Sequence, residues 1–447
     1  FNVPISTWHG VEVNVNGCVT GLMLESNNMS GQLPDVNLPN LEVFFCDENN
    51  LTGNIPNFTN LPKLQSFNCY NNELTGSIPD FSNLPNLLAF ICDRNRLTGN
   101  IPDFSNLPNL EVFFCDENNL TGSIPNFDNL SNLQLFRCND NNLTGNIPDF
   151  NNVSNLQEFL CWGNELTGII PDFINLPNLE EFYCNDNQLS GPIPDFSNLP
   201  NLVLFWCFNN ELSGAIPDLS DNCPALNDFK VEDNRFTFEH LLPSLVANET
   251  IIAQNAVNSF DDYSYAPQAR IYTDTTITRA VGESLTIDLG IDEDVTDNIY
   301  RWYKDGELFV TYVSATGGVG LVISGSLQPE DAGVYTVEVT NPGAPELTLE
   351  SFPITVEVSG TTSTYARTEN SWIRLYPNPT DQAIQIDVEK ITGSVRLQLY
   401  DLAGRQVWQK IVNQRTMVAL PPLPAGVYIM DVFSDTEWLG QRRLLIQ

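Results

Sequence analysis

Between Leu22 and Phe236 the apolar positions recur every 23 residues, on top of a local alternation of two. The phrase Leu64-x-x-Phe67-x-Cys69-x-x-Asn72-x-Leu74 shows both. Phe67 and Cys69 alternate as in a short strand whose side chains point to one face. Eight cysteines, Cys46, Cys69, Cys92, Cys115, Cys138, Cys161, Cys184 and Cys207, stand 23 residues apart. Each is followed three residues later by an Asn, then by a Leu, a Gly and Ile-Pro, as in Leu74, Gly76, Ile78 and Pro79. A fixed period of this length predicts a solenoid, in which each coil hides its apolar face against the next. The strands then lie side by side, about 4.8 Å apart, as a parallel sheet. The recurring Asn is expected to satisfy backbone groups at the turn leaving the strand, coil after coil. Gly76 allows a tight bend, Ile78 points inward, and Phe81, Leu84 and Leu87 line the following arc.

The phrase Leu-x-x-Leu-x-Leu-x-x-Asn-x-Leu resembles the leucine-rich repeat, and the Leu-Thr-Gly-x-Ile-Pro extension resembles its plant-type subclass. Ten phrases cover roughly half the chain. Phe and Cys stand where that family usually has Leu, and the coil is one residue shorter than the common form. Both point to a thin coil without helices on its convex face.

The flanking segments break the period. Residues 1–21 read as a partial N-terminal cap, with Val11, Val13 and Val15 alternating as an edge strand. The solenoid occupies 22–236. Residues 237–267 are expected to close its open end, beginning with a helical turn over His240 to Leu245. Residues 268–358 show short alternating runs between turn signals, the pattern of a β-sandwich. This stretch resembles an immunoglobulin-like domain, with Trp302 as core Trp and Asp331-x-Gly333-x-Tyr335 as the tyrosine corner. The resemblance puts Leu289 and Val337 where an inter-sheet disulfide usually lies. A polar linker is expected over 359–371. Residues 372–447 read as a third, smaller β-unit. Tyr376-Pro377-Asn378-Pro379, Tyr400-Asp401-x-x-Gly404-Arg405 and Pro424-Ala425-Gly426-x-Tyr428 resemble the C-terminal sorting domain of Bacteroidota proteins exported by the type 9 secretion system. The expected fold class is therefore mostly β: a plant-type-like leucine-rich repeat solenoid with a parallel β-sheet, an immunoglobulin-like β-sandwich and a small C-terminal β-sandwich.

Charge narrows the partners. Lys plus Arg number 19 against 56 acidic residues, a net −37, so nucleic acid and anionic membrane surfaces are repelled. Eight of the ten cysteines occupy inward strand positions with parallel side chains, a poor geometry for disulfides, and are expected as reduced, buried thiols. No apolar run reaches the length of a spanning helix, so no transmembrane segment is expected. The chain begins inside what reads as a cap, which suggests a processed form or a fragment.

Catalytic chemistry is not expected. His9 and His240 lie at opposite ends of the repeats, no His/Cys cluster has metal-ligand spacing, and no glycine-rich phosphate loop occurs. Carboxylate pairs are too common here to nominate a glycosidase. No catalytic residue, cofactor or metal is assigned.

The outward strand positions vary where the inward ones repeat. They are taken as the residue before each Cys and the two after it. Leu160, Trp162, Tyr183, Trp206 and Phe208 then form an aromatic patch over three coils on the concave side. Large exposed apolar patches mark interaction sites, and Trp and Tyr dominate binding hot spots. With Tyr70, Phe114 and Asp116 of the same columns, they form the candidate ligand-binding set. Asn40–Gly53 and Asn109–Gly122 are identical, a sign of unit duplication, so matching outward residues there need not be tuned to a partner. The expected function is recognition or adhesion: a secreted or cell-surface, monomeric chain that binds a protein or glycan and is exported by the type 9 secretion machinery. The alternative is a structural spacer or surface-layer component whose immunoglobulin-like domain makes the contacts.

Overall fold

The computed structural model describes residues 4–247, 263–292, 294–314, 320–359, 373–376, 383–388, 394–401, 406–413, 415–424, 426–434 and 438–446. The expected linker beyond Ser359, cap residues 248–262, Trp372, Pro377-Asn378-Pro379, Gly404 and Arg405 lie outside them. The chain divides into two units, Phe1–Gly360 and Thr361–Gln447.

In the first unit a 12-stranded sheet runs the length of the solenoid. It opens with Val11–Val13 antiparallel to Val19–Met23, an edge strand shorter than expected, with Val15 beyond its end and exposed. Thereafter three-residue strands pair in parallel, one coil to the next, as Val112–Phe114 does with Ala89–Ile91 and Leu135–Arg137. The middle residue of each strand is a buried Phe from Phe44 to Phe229, and these rings stack at short range, as Phe113 on Phe136 at 5.6 Å and 11°. A second column runs from Phe58 through Phe81 to Phe196, and its rings meet the first edge-on, Phe104 to Phe113 at 5.0 Å and 87°. These second-column Phe residues sit at φ of 47–52°, a left-handed conformation that costs a bulky residue about 1–2 kcal/mol. Ring-to-ring packing holds it. This is why Phe replaces Leu: two interlocked ring columns fill a coil that is one residue short.

The Asn ladder does what its spacing predicts. Asn118 Nδ2 donates to the carbonyls of Cys92, Cys115 and Asp116 at 3.0–3.2 Å, and its Oδ1 accepts from Leu97 N–H at 2.9 Å. One side chain thus ties the turn to two coils. The Leu-Thr-Gly stretch does not become a helix; it forms a second parallel sheet, six strands of which run from Thr98–Gly99 to Glu211–Leu212. Its glycines have positive φ, and at Gly122 (φ 78°) a Cβ would fall 2.6 Å from Asn100 Oδ1. The thiols are reduced; Cys18 is half-buried and the other nine are buried. Cys92 Sγ donates to Phe114 O of the next coil at 3.3 Å.

Helix α1 (Phe238–Ala247) covers the last coil, longer than the predicted turn. Its start is held by His240 Nδ1, which accepts from Thr237 N–H at 3.1 Å, and by Asp292 Oδ1, which accepts from Glu239 N–H at 2.7 Å. Burial lowers the His240 pKa, while Glu239 and Asp292 pull it up. Because the folded value lies below the unfolded one, the unfolded chain takes the proton first. The stabilisation is complete above about pH 6.5 and is lost as pH falls toward the folded pKa. Hydrogen exchange of the α1 amides, corrected for intrinsic rates, is therefore expected to accelerate below about pH 6.5 in the wild type and not in His240→Gln.

Residues 268–359 form the sandwich. Ile299–Lys304 lies between Glu307–Val313 and Gly333–Asn341, and Leu285–Ile287 pairs with Leu321–Ser324 in a separate sheet. Trp302 is fully buried, and Tyr335 Oη donates to Asp331 O at 2.8 Å, closing the tyrosine corner. Val337 is buried as expected, but Leu289 lies past the end of its strand and is half-buried. Ile287 fills the core instead, because the strand ends two residues earlier than the alternation suggested.

The second unit holds a three-stranded sheet (Ile373–Tyr376, Ala383–Val388, Arg415–Ala419) and a four-stranded one (Gln406–Asn413, Ser394–Asp401, Gly426–Phe433, Trp438–Ile446). Val395, Leu397, Leu399, Met430, Val432 and Leu444 form its core. Tyr428 Oη donates to Pro424 O at 2.9 Å, tying Pro424 to the strand Gly426–Phe433.

Candidate ligand-binding face

From Val43–Phe45 to Asp228–Lys230 each main-sheet strand is half-buried, buried, half-buried in sequence, with the Phe inward. Three columns therefore face outward: one residue before the Cys, one after it, and one three before it. Two of these match expectation. The residue two after the Cys does not belong to the strand: from Ser26 to Asp233 the non-glycine residues there have φ of 49–54° and turn the chain away. The third column, Val43, Ser66, Ala89, Val112, Leu135, Glu158, Glu181, Leu204 and Asp228, was missed by the sequence reading. Strict alternation back from the inward Phe would have found it.

The eight candidate residues are all half-buried. Four of the eight, Phe114, Leu160, Tyr183 and Trp206, stand in one column, the spine of the face. Register pairs Phe114 to Arg137, Leu160, Tyr183, Trp206 and Lys230 in successive coils. The Arg137 guanidinium lies 4.3 Å from the Phe114 ring centroid. Tyr183 and Trp206 stack at 4.4 Å and 10°, and Lys230 Nζ sits 4.4 Å over Trp206. Both faces of the Trp206 indole are thus occupied and its edge is what remains. Its Nε1 is shielded and makes no hydrogen bond. Phe208 leans toward Trp206 at 6.3 Å and 46°. Trp162 and Phe208 belong to the column one residue after the Cys.

Charge surrounds this spine. Arg137 pairs with Glu158 at 2.5 and 3.0 Å. Burial pushes the Tyr183 phenol up, and the Glu181, Asp228 and Glu158 carboxylates add to it. Toward the N-terminal coils the face is acidic. Burial pushes the Asp93 carboxyl up to about 7, with neighbouring Asp116 adding to it. Asp116 rises to about 6, mainly through burial, against the pull of Arg137 and Arg94. Arg94 is held by Glu117 at 2.8 Å and Tyr70 Oη at 3.1 Å, and its guanidinium lies over the Tyr70 ring at 5.5 Å.

Among the described residues no three His, Cys, Asp or Glu side chains converge as metal ligands. His9 is exposed in the N-terminal cap and His240 is engaged in α1. Among the described residues no helix is long and apolar enough to cross a membrane.

Residues 374–447 match the family described as the secretion system C-terminal sorting domain. No curated protein matches the chain. Among solved structures, it is similar to the plant peptide hormone receptor RGFR1 in complex with RGF2, at 30% identity over 56% of this chain and 39% of that one, with a TM-score of 0.48. It is also similar to the leucine-rich repeat ectodomain of the Arabidopsis thaliana receptor kinase GASSHO1/SCHENGEN3, at 25% identity over 62% of this chain and 42% of that one, TM-score 0.46. A Leptospira interrogans leucine-rich repeat protein is similar at 24% identity over 47% and 53% of the two chains, TM-score 0.42. The chain spans about two fifths of the length of the two plant receptors. A leucine-rich-repeat-like solenoid and an immunoglobulin-like sandwich are thus joined to a C-terminal sorting domain of the type 9 secretion system, and the chain is a secreted or outer-membrane surface protein.

Proposed function

We propose that the chain is a recognition protein that grips a protein segment along the concave columns, with Leu160, Trp162, Tyr183, Trp206 and Phe208 as the anchoring patch. The observation that carries this is the Phe114–Arg137–Leu160–Tyr183–Trp206–Lys230 column, half-buried and in register from coil to coil, with Trp206 clamped between Tyr183 and Lys230. A ring clamped on both faces, with its Nε1 shielded, offers a carbon edge, which suits an aliphatic side chain. Flat stacking on a sugar needs an open ring face, so at Trp206 a protein ligand fits better than a glycan. Tyr70, Phe114 and Asp116 extend the same columns toward the acidic coils, and the net charge of −37 favours a partner with basic residues.

The spacer reading draws on the same stack, since rings that cover one another are also what inert filler looks like. The full chain probed against protein and glycan arrays separates the two. Recognition predicts protein hits that weaken with salt and are lost on Trp162→Ala. An array without reproducible hits, or hits indifferent to Trp162→Ala, would leave the spacer reading standing.

A further inference from the structure

Away from the concave columns, α1 and the sandwich enclose a cavity of about 570 Å³. One wall is the first half of the helix, with Phe238, Leu242 and Pro243 turned to it. The other is residues 294–297 and the hairpin 341–343. Both walls are held from within. Asp292, fully buried, accepts from Glu239 N–H at 2.7 Å and from Asn298 Nδ2 at 3.4 Å. Asn341, 5% exposed, donates to Asn298 Oδ1 at 2.7 Å and to Thr296 O at 3.0 Å, and accepts from Gly343 N–H at 2.8 Å. This network fastens the helix start, the 294–297 segment and the hairpin to one another, so the recess is preformed. The walls meet at Gly343, where a Cβ would fall 2.7 Å from Leu242 Cδ2.

The lining is one-sided in its chemistry. Phe238, Leu242 and Val295 are buried or half-buried, whereas Glu239, Asp294 and Asp297 stand exposed at the mouth. No Lys, Arg or His lines the cavity, and among the described residues none of these three carboxylates is in an ion pair. An anion would meet three like charges there, while a cation relieves their repulsion. The apolar walls in turn favour a ligand with carbon to bury. We propose that this cavity binds a small organic amine, its ring-sized apolar body between Leu242 and Val295 and its ammonium at Glu239, Asp294 and Asp297. Such a ligand touches helix and sandwich together, so occupancy stiffens the joint between them. The site is independent of the recognition reading, because it uses no residue of the concave columns.

Tryptamine serves as the probe, with the full chain. Equilibrium dialysis at physiological ionic strength is expected to show saturable binding. Indole-3-propionate, the same ring bearing a carboxylate, should not compete. Butylamine, which resembles a lysine side chain without the ring, should compete only at concentrations at least about tenfold higher than tryptamine. Asp294→Asn/Asp297→Asn should weaken tryptamine binding at least about tenfold. Asn accepts the left-handed φ of 66° at position 297, so this variant keeps the loop. Asp128→Asn/Asp149→Asn, the same charge change at exposed positions of the solenoid, should leave binding intact. On saturation, amide exchange should slow over residues 238–245 and 294–298. No saturable binding, equal competition by indole-3-propionate or butylamine, equal affinity in the two double variants, or slowed exchange confined to the solenoid strands would overturn the assignment.

Discussion

Replacing Trp206 with Ala is expected to weaken partner capture at least about 30-fold, the factor that corresponds to the 2 kcal/mol typical of a hot-spot aromatic. The residue sits in the middle of the patch, with Tyr183 at 4.4 Å on one face and Lys230 at 4.4 Å on the other. Its loss therefore does two things together. It removes the exposed edge and frees Tyr183 and Lys230 to move. The stack and the cation–π contact also support the fold, so a stability loss of about 1–2 kcal/mol should accompany the binding loss. Trp206→Phe separates the two. It restores much of the stacking and stability but not the full length of the indole edge, so its binding should stay below wild type while its melt returns toward it. Ile174→Ala, an exposed apolar residue outside the strand columns, should change neither. Wild-type affinity in Trp206→Ala would remove this residue from the site.

The second large effect concerns the ladder that holds the coils in line. Asn118→Ala is expected to cost about 2–3 kcal/mol, because it leaves the buried Leu97 N–H without its acceptor and removes one of the two donors at each of three carbonyls, Cys92 O keeping Asn95 Nδ2, Cys115 O keeping Asn141 Nδ2 and Asp116 O keeping Arg94 N–H. A solenoid's stability is a sum of coil and interface terms, so the damage should be local: the chain should open near Asn118 before it unfolds elsewhere. The cysteines report this directly. In the wild type only the half-buried Cys18 should react quickly with a disulfide reagent, since the others are buried and burial holds thiols such as Cys92 and Cys115 far from the thiolate form. In Asn118→Ala those two should become reactive at urea concentrations that leave the wild type closed. Asn100→Ala, an exposed Asn one coil earlier, should shift stability by less than about 0.5 kcal/mol. Equal thiol protection in both variants would show that the ring columns alone keep the register.

Both effects rest on repetition, but unequally. The Asn ladder is legible in the sequence because a polar residue recurring every 23 positions among apolar ones has only the backbone of adjacent coils to bond. The aromatic patch is legible only as a location. Leu160, Tyr183 and Trp206 share a column by arithmetic, yet nothing in the spacing says that Tyr183 and Lys230 would close over both faces of Trp206. Counting outward from the Cys misses the column through Glu158, Glu181 and Asp228 and takes the residue two beyond the Cys as strand. Backbone sterics decide that point: the left-handed turn at Glu117 and its equivalents ends the alternation one residue sooner.

The sequence by itself determined the period, the parallel strands, the inward Phe and Cys, the Asn ladder, the sandwich with its Trp302 core, and the tail that matches a sorting domain. These follow from residue type at fixed spacing, which local geometry converts into one outcome. Only the tertiary structure decided which outward side chains cover one another, that Phe81 and its equivalents adopt left-handed backbone, that Asp292 of the sandwich caps α1, and that Asp93, Asp116 and Asn139 are left with unpartnered oxygens. Each of these depends on contacts beyond the immediate neighbours in sequence, from Phe90 against Phe81 to Asp292 against Glu239, whose approach is set by packing.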